Sequence, residues 1–276
     1  MRLPLDALLL ALGAAVVHAT WNLLLSGADD THSATAVGMV VGTLVIVPVA
    51  VITWRLDSSV WPYVVSSSAA EGLYLVLLAT AYSVAAMSFV YPIARGSAPV
   101  LVLIAGAIVT GATVSLAAAA GVVLVAIGIV LVRGIRASGT PRDLALALSV
   151  GACIATYTLI DKHGVTHASP LAYLEVIFAI TSLGYLIGAW RVRGAAALRA
   201  AITPRTLLAG VGFSGAYALA LAALRIAPAA SVAAVRESGV VIATVVLAIS
   251  GREKIGPMRL VGAVAVVAGI ALISLG

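Results

Sequence analysis

The amino-acid sequence predicts an all-α integral membrane protein of ten transmembrane helices, arranged as two inverted five-helix repeats. Three observations carry that prediction. The chain of 276 residues is 63% hydrophobic and only 9% charged, with a mean hydropathy of +1.19, whereas a soluble domain is about 25% charged. Its apolar runs are separated by short links, and a hydrocarbon core about 30 Å thick takes roughly 20 residues per helix, so this length holds about ten spans and no sizeable soluble domain. The second half also repeats the first, weakly but in a steady register.

The segments run at 5–25, 33–54, 64–85, 88–110, 115–132, 143–162, 170–190, 205–224, 228–250 and 257–275. They are read as helices because a spanning segment in lipid must satisfy its own backbone polar groups. Pro4, Pro141, Pro170, Pro204, Pro228 and Pro257 stand at or near segment starts, where the missing N–H has no intrahelical partner to lose. The N-terminus has the ingredients of a signal peptide in Arg2, a leucine-rich run and small residues near Ala19. The apolar run continues through Trp21 to Leu25, however, so a retained first helix is expected.

The repeat is read from short matches. "ATWNLLLS" at 19–26 aligns with "ATYTLIDK" at 155–162, and "ARGSAPV" at 94–100 with "VRESGVV" at 235–241, so Arg95 faces Arg236 and Ser97 faces Ser238. Gly121 and Gly128 map onto Gly262 and Gly269. The units are residues 1–136 and 137–276. Five crossings are odd, so the second unit starts on the opposite side and runs inverted, an architecture that places substrate near the midplane between the repeats and suits alternating access.

The net charge of +6 comes from basic residues set singly in links, which fits membrane-side anchoring and excludes a nucleic-acid partner. Cys153 stands alone, excluding an intramolecular disulfide or a multi-cysteine metal site. No cofactor or metal is expected. His163 and His167 have clamp spacing, but Gly164 and an expected loop position argue against a metal. "GFSG" at 212–215 looks like an intramembrane serine-protease motif, yet that chemistry needs a later histidine as base and the last histidine is His167, so no enzyme is expected.

Together with "HATWN" in the first helix, the closing segment, with Gly251, Glu253, Gly262 and Gly269 on a G-E and glycine pattern, resembles the drug/metabolite transporter superfamily, specifically its EamA-type members. The first half lacks the acidic residue in "TGATVS" at 110–115. The resemblance implies a multi-pass carrier of the inner or plasma membrane that moves small polar metabolites, amino-acid-like or otherwise carboxylate- or phosphonate-bearing, often as an exporter. A non-transporting scaffold or receptor, and a facilitative uniporter, are the alternatives.

Five ionisable residues fall inside expected spans: Glu71, Arg95, Glu175, Arg236 and Glu237. Each costs about 2.5–3.5 kcal/mol at a helix centre and normally faces a partner or a wet cavity. Arg95 and Arg236 are expected to bind substrate, with the pairing of these arginines to the carboxylates as the plainer alternative. Pro99 withholds an N–H from the carbonyl of Arg95, and Pro92 lies a turn earlier, so the fourth segment is expected to break or bend there. Three carboxylates against two guanidiniums leave one negative charge, so proton coupling through Glu71, Glu175 or Glu237 is expected. His18, Trp21 and Asn22 share one face of the first helix and, with Tyr74, Tyr157, Tyr217, Ser97 and Ser238, complete the expected substrate site. Interfacial anchoring is the other reading of the aromatics.

The glycine pairs Gly38/Gly42 and Gly184/Gly188 have small-xxx-small spacing, while Gly121/Gly128 and Gly262/Gly269 suit internal packing or a homodimer seam. A monomer and a homodimer both remain open. Ten of the sixteen basic residues lie in the links after helices 5, 7 and 9, which by the positive-inside rule puts both termini outside. The resemblance implies both termini inside.

Overall fold

Starts dominate the helix boundaries. In the computed structural model, which describes residues 3–25, 28–85, 87–111, 113–133, 139–249 and 256–275, α6 (Pro141–His167), α7 (Pro170–Ala200), α8 (Pro204–Ile226) and α11 (Pro257–Leu275) each begin on a proline. Thr140 and Asp143 form a reciprocal capping box on α6. Asp30 caps α2 (Thr31–Ile52) by accepting from the backbone N–H groups of His32 and Ser33, which satisfies donors that the first turn leaves unpaired. The Ser33 hydroxyl, 2.6 Å from Asp30, and nearby Arg193 hold this carboxyl below its ordinary range.

The other elements are α1 (Leu5–Leu25), a 3₁₀ turn (Ser58–Val60), α3 (Trp61–Val84), α4 (Met87–Thr110), α5 (Leu116–Arg133), α9 (Ala229–Arg236) and α10 (Gly239–Ile249). Among the described residues, seven helices are long and apolar enough to cross a membrane: α1, α2, α6, α7, α8 and the greater part of α4 and α11. The protein is therefore a multi-pass membrane protein. α9 and α10 are the two pieces of the expected ninth span. Gly251 and Glu253, on which part of the resemblance rests, lie outside the described residues, as do Arg136, Arg252 and Lys254.

Helix–helix packing in lipid relies on close approach rather than on a hydrophobic drive, and the chain provides small residues where helices meet. Ala7, Ala11, Ala14, Ala15 and Ala19 are buried along α1, which packs on α8. Val90, Ala94, Ala98 and Val102 recur every four residues as the buried stripe of α4, whose main neighbour is α6. α5 and α11 meet glycine to glycine: a Cβ on Gly128 would lie 2.7 Å from the Gly262 carbonyl oxygen, and one on Gly121 would lie 2.6 Å from that of Gly269. These glycines thus pack internally. Gly38 similarly meets Gly210 of α8, whereas Gly184 and Gly188 face open space, so their spacing makes no contact within the chain. In α7, Gly194 takes φ 82° and kinks the helix where its apolar part ends.

The links meet at opposite ends. Leu56 bridges Ala168 and Ser169 N–H donates to Arg55 O, joining the α2–α3 and α6–α7 links. Asp30 approaches Arg193 at 3.9 Å, and His32 contacts the Tyr185 hydroxyl at 3.1 Å, joining the start of α2 to the second half of α7.

Candidate functional site

The ninth span breaks at Glu237 and Ser238. Their N–H groups donate to Ala234 O and Val235 O, three residues back, at 3.2 and 3.0 Å, closing α9 in a tight turn. α10 restarts at Gly239, where a Cβ would lie 2.8 Å from the Ala15 carbonyl oxygen of α1, so glycine permits this approach. The expected break in α4 is corrected by this arrangement. α4 is one helix through both Pro92 and Pro99, because each proline removes a single backbone bond within a helix supported by α5 and α6. The interruption occurs in its counterpart, where two adjacent charged side chains point to different partners.

The first partner is Arg95. Its Nε lies 3.1 Å from Glu237 Oε2, with the two side chains only 13% and 6% exposed. Another guanidinium nitrogen lies 3.1 Å from His18 Nε2. Arginine offers only donors, so this histidine nitrogen accepts and the ring is neutral with its proton on Nδ1. The guanidinium also sits 5.9 Å from the Tyr91 ring centroid. α1, α4 and the α9–α10 break, from both halves of the chain, thus meet at Arg95.

The second partner is Tyr217 of α8, over whose ring Arg236 lies at 5.9 Å. The Tyr217 hydroxyl is 2.5 Å from Glu71 Oε1 of α3 and 2.6 Å from Asp161 Oδ2 of α6. The other Asp161 oxygen accepts from Ser67 at 2.6 Å and from Tyr173 of α7 at 2.9 Å. Asp161 is 1% exposed and Glu71 9%. Four helices, α3, α6, α7 and α8, therefore enclose a carboxylate pair with one phenol between its members.

Aromatic rings link the two clusters. Trp21 makes edge contacts with His18 at 5.0 Å and with Phe213 at 5.1 Å, and Phe178 stacks on Phe213 and tilts against Tyr217. Trp21 therefore faces α8, and its buried Nε1 has no hydrogen-bond partner among the described residues; neither has the Ser238 hydroxyl nor that of Ser68. Buried donors without partners are rare, and these lie near the two charged clusters.

The other expected residues sit differently. Tyr74 and Tyr157 contact each other edge to face at 6.1 Å, against the α4–α6 contact. Asn22 donates to the His18 carbonyl of its own helix at 2.8 Å. Ser97 lies about 200° around α4 from Arg95, donates to Ala94 O at 3.2 Å and lines a cleft of about 370 Å³ with Gly96, Val100, Ala126, Ile127 and Val130. That cleft is apolar and opens on the α5 side, away from Arg95. Glu175 follows Tyr173 by two residues, on the other side of α7, and its Oε2 is buried without a hydrogen-bond partner among the described residues.

Asp161, Ser67 and Tyr173 belong to the site but escape the reading of the sequence. A predicted helix end at 162 places Asp161 at the membrane edge, whereas α6 continues to His167. The usable signal is in α3, where Ser67 and Glu71 are four apart and share a face. The same extension makes His163 and His167 helical neighbours instead of loop residues; both stack on Tyr63, and His167 Nδ1 contacts the Ser59 hydroxyl at 2.8 Å. Ser214 of the "GFSG" motif donates to carbonyls of its own helix and abuts Gly42.

Comparison with known proteins adds two findings. A protein of known crystal structure superposes with a TM-score of 0.79 over 98% of this chain and 96% of that one, at 18% sequence identity, which shows a shared fold. No curated protein matches. Residues 143–275 match the model of the EamA-like transporter family. The second half of the chain is therefore similar to the EamA-like transporter family, which is part of the drug/metabolite transporter superfamily.

Proposed function

We propose that the protein is a secondary carrier of small polar metabolites, amino-acid-like or otherwise carboxylate- or phosphonate-bearing. It works as an exporter in the cell membrane by alternating access, with a proton as coupling ion. The observation that carries this reading is the meeting of Arg95, His18 and Glu237 at a broken helix, beside the unpartnered Trp21 Nε1 and Ser238 hydroxyl. Interrupted helices at a repeat interface are where carriers of this type place solutes. A substrate anion competes with Glu237 for the Arg95 guanidinium, and a fork of five donors suits a carboxylate or phosphonate bidentately.

The pairing of helices supports two inverted five-helix units. α1 packs on α8 as α6 packs on α3, while α2 meets α7 and α5 meets α11. Under the correspondence of α1 to α6 through α5 to α11, each such contact maps onto another or onto itself. In the arrangement described here Arg95 and Glu237 are enclosed together, and rocking of one half on the other opens the pair to either side.

The test is counterflow of labelled amino acids and phosphonates in proteoliposomes of the purified protein. Saturable, trans-stimulated flux is expected, lost in Arg95→Ala and weakened several-fold in apparent affinity in Trp21→Phe, which removes the indole N–H while keeping an aromatic ring. No flux across the panel in wild type, or wild-type flux in both variants, refutes the assignment.

A further inference from the structure

The Glu71–Tyr217–Asp161 contacts carry a proton count. The Tyr217 hydroxyl has one hydrogen, yet its oxygen lies within 2.6 Å of a carboxyl oxygen on each side. Separations this short are those of O–H···O hydrogen bonds, and one hydrogen donates to one acceptor at such a distance. The second contact is attractive only if the other carboxyl group supplies a proton. Two ionised carboxylates on one phenol, both enclosed by helices, would instead repel each other across a lone pair.

The donors decide where that proton rests. Asp161 already accepts from Ser67 and Tyr173 on Oδ1, and with the Tyr217 hydroxyl on Oδ2 it has three donors, the environment of an ionised carboxylate. We propose that Glu71 and Asp161 form a proton-binding site that holds one proton between them, carried on Glu71, which donates to Tyr217 as Tyr217 donates to Asp161. The relay balances in both directions. When Glu71 passes its proton to the phenol oxygen, the phenol passes its own to Asp161, and the negative charge moves from Asp161 to Glu71 with no net change.

The surrounding groups are consistent with a single proton. Glu71 is ringed by Asp161 and Tyr157 from α6, Tyr173 from α7, Tyr217 from α8, Arg236 at the end of α9 and Tyr74 of its own helix. Arg236 is the positive charge of this group and offsets one carboxylate; the second is neutralised by the proton. The members come from both halves of the chain, so rocking of the halves separates Glu71 from Asp161 and alters the hold on the proton. Arg236 and Glu237 are adjacent at the helix break, so loosening the Arg95–Glu237 pair also displaces the cation over Tyr217. The coupling of this proton to substrate rests on the proposed transport function, whereas its presence does not.

Infrared difference spectroscopy of the purified full-length protein at neutral pH tests the site directly. A protonated-carboxyl C=O stretching band is expected in wild type, lost in both Glu71→Gln and Asp161→Asn, shifted in Tyr217→Phe and unchanged in Glu175→Gln. Each single substitution removes the band because the proton is retained only while two carboxylates compete. Size-exclusion profiles establish that each variant is folded, and either isosteric substitution alone suffices. Wild-type band intensity in both Glu71→Gln and Asp161→Asn, or no band in wild type, overturns the proposal. In proteoliposomes with an internal pH dye, substrate-driven proton movement is expected to vanish in Glu71→Gln while solute counterflow persists; proton movement equal to wild type overturns the coupling. Absence of counterflow in wild type refutes the transport function, and the infrared band still decides the proton site.

Discussion

The fourth span of each half invites comparison. α4 carries two prolines and one arginine and stays a single helix over 24 residues, while its counterpart has no internal proline and is divided into α9 and α10. Helix-breaking residue types thus fail to predict the break. A proline within a helix flanked by neighbours loses one backbone bond, a local cost that packing tolerates. At Glu237 and Ser238 the chain instead turns two consecutive charged side chains, Arg236 and Glu237, towards different clusters, Tyr217 on one side and Arg95 on the other. A regular helix sets adjacent residues about 100° apart, and the break relaxes that constraint.

The comparison predicts its largest effect where the two spans meet. Glu237→Ala leaves the Arg95 guanidinium buried without its carboxylate, and removing one member of a buried pair costs about 3–5 kcal/mol. Thermal unfolding in detergent is expected to register that loss, together with exposure of the α4–α9 contact to proteolysis. Replacing both residues by methionine is expected to restore stability to within about 1–2 kcal/mol of wild type, since an apolar pair of similar volume often substitutes for a buried ion pair. Equal losses in the single and double variants would show that the charges do not hold the broken helix against α4.

A smaller effect separates the glycines of the two spans. Gly239→Ala puts a Cβ 2.8 Å from the Ala15 carbonyl oxygen, part of the α1 backbone, whereas Gly96→Ala meets the Ala126 carbonyl at 3.3 Å and a flexible Val130 methyl at 3.4 Å. Overpacking against backbone costs about 1–3 kcal/mol, so Gly239→Ala is expected to lower the unfolding midpoint clearly and Gly96→Ala to lower it by less than half as much. Equal shifts would mean that α10 is not held closely against α1 at its start.

These contrasts also show what the sequence makes legible. Apolar run lengths place most of the helix boundaries within a few residues, because the thickness of a bilayer imposes its own ruler, although α6 and α7 run five and ten residues past their segments. Charges within those runs identify Arg95, Glu71 and Glu237, because lipid penalises them wherever they fall. Partners are not legible: nothing along the chain pairs Glu237 with Arg95 across about 140 positions, or brings Asp161 to a phenol on α8. Asp161 is missed for a further reason. Helix ends are the least regular feature of a pattern, and five extra residues in α6 turn an expected boundary group into a buried one. Ser97 differs in another way, since it matches Ser238 in the repeat yet its hydroxyl donates to Ala94 O of its own helix and lies against Gly151 of α6.

The smallest effect belongs to the prolines themselves. Pro99→Ala returns an N–H at the position four residues after Arg95 and restores the backbone bond that proline withholds. Because α4 is already continuous there, the gain of one hydrogen bond, about 0.5–1.5 kcal/mol, is set against any straightening that disturbs the buried stripe of Val90, Ala94, Ala98 and Val102. The unfolding midpoint is therefore expected to move by an amount equivalent to about 1 kcal/mol or less, in either direction. A loss of several kcal/mol would reverse the comparison: the proline bend would then be what seats α4 on α6, and proline rather than charge would govern the shape of the fourth span in the first half.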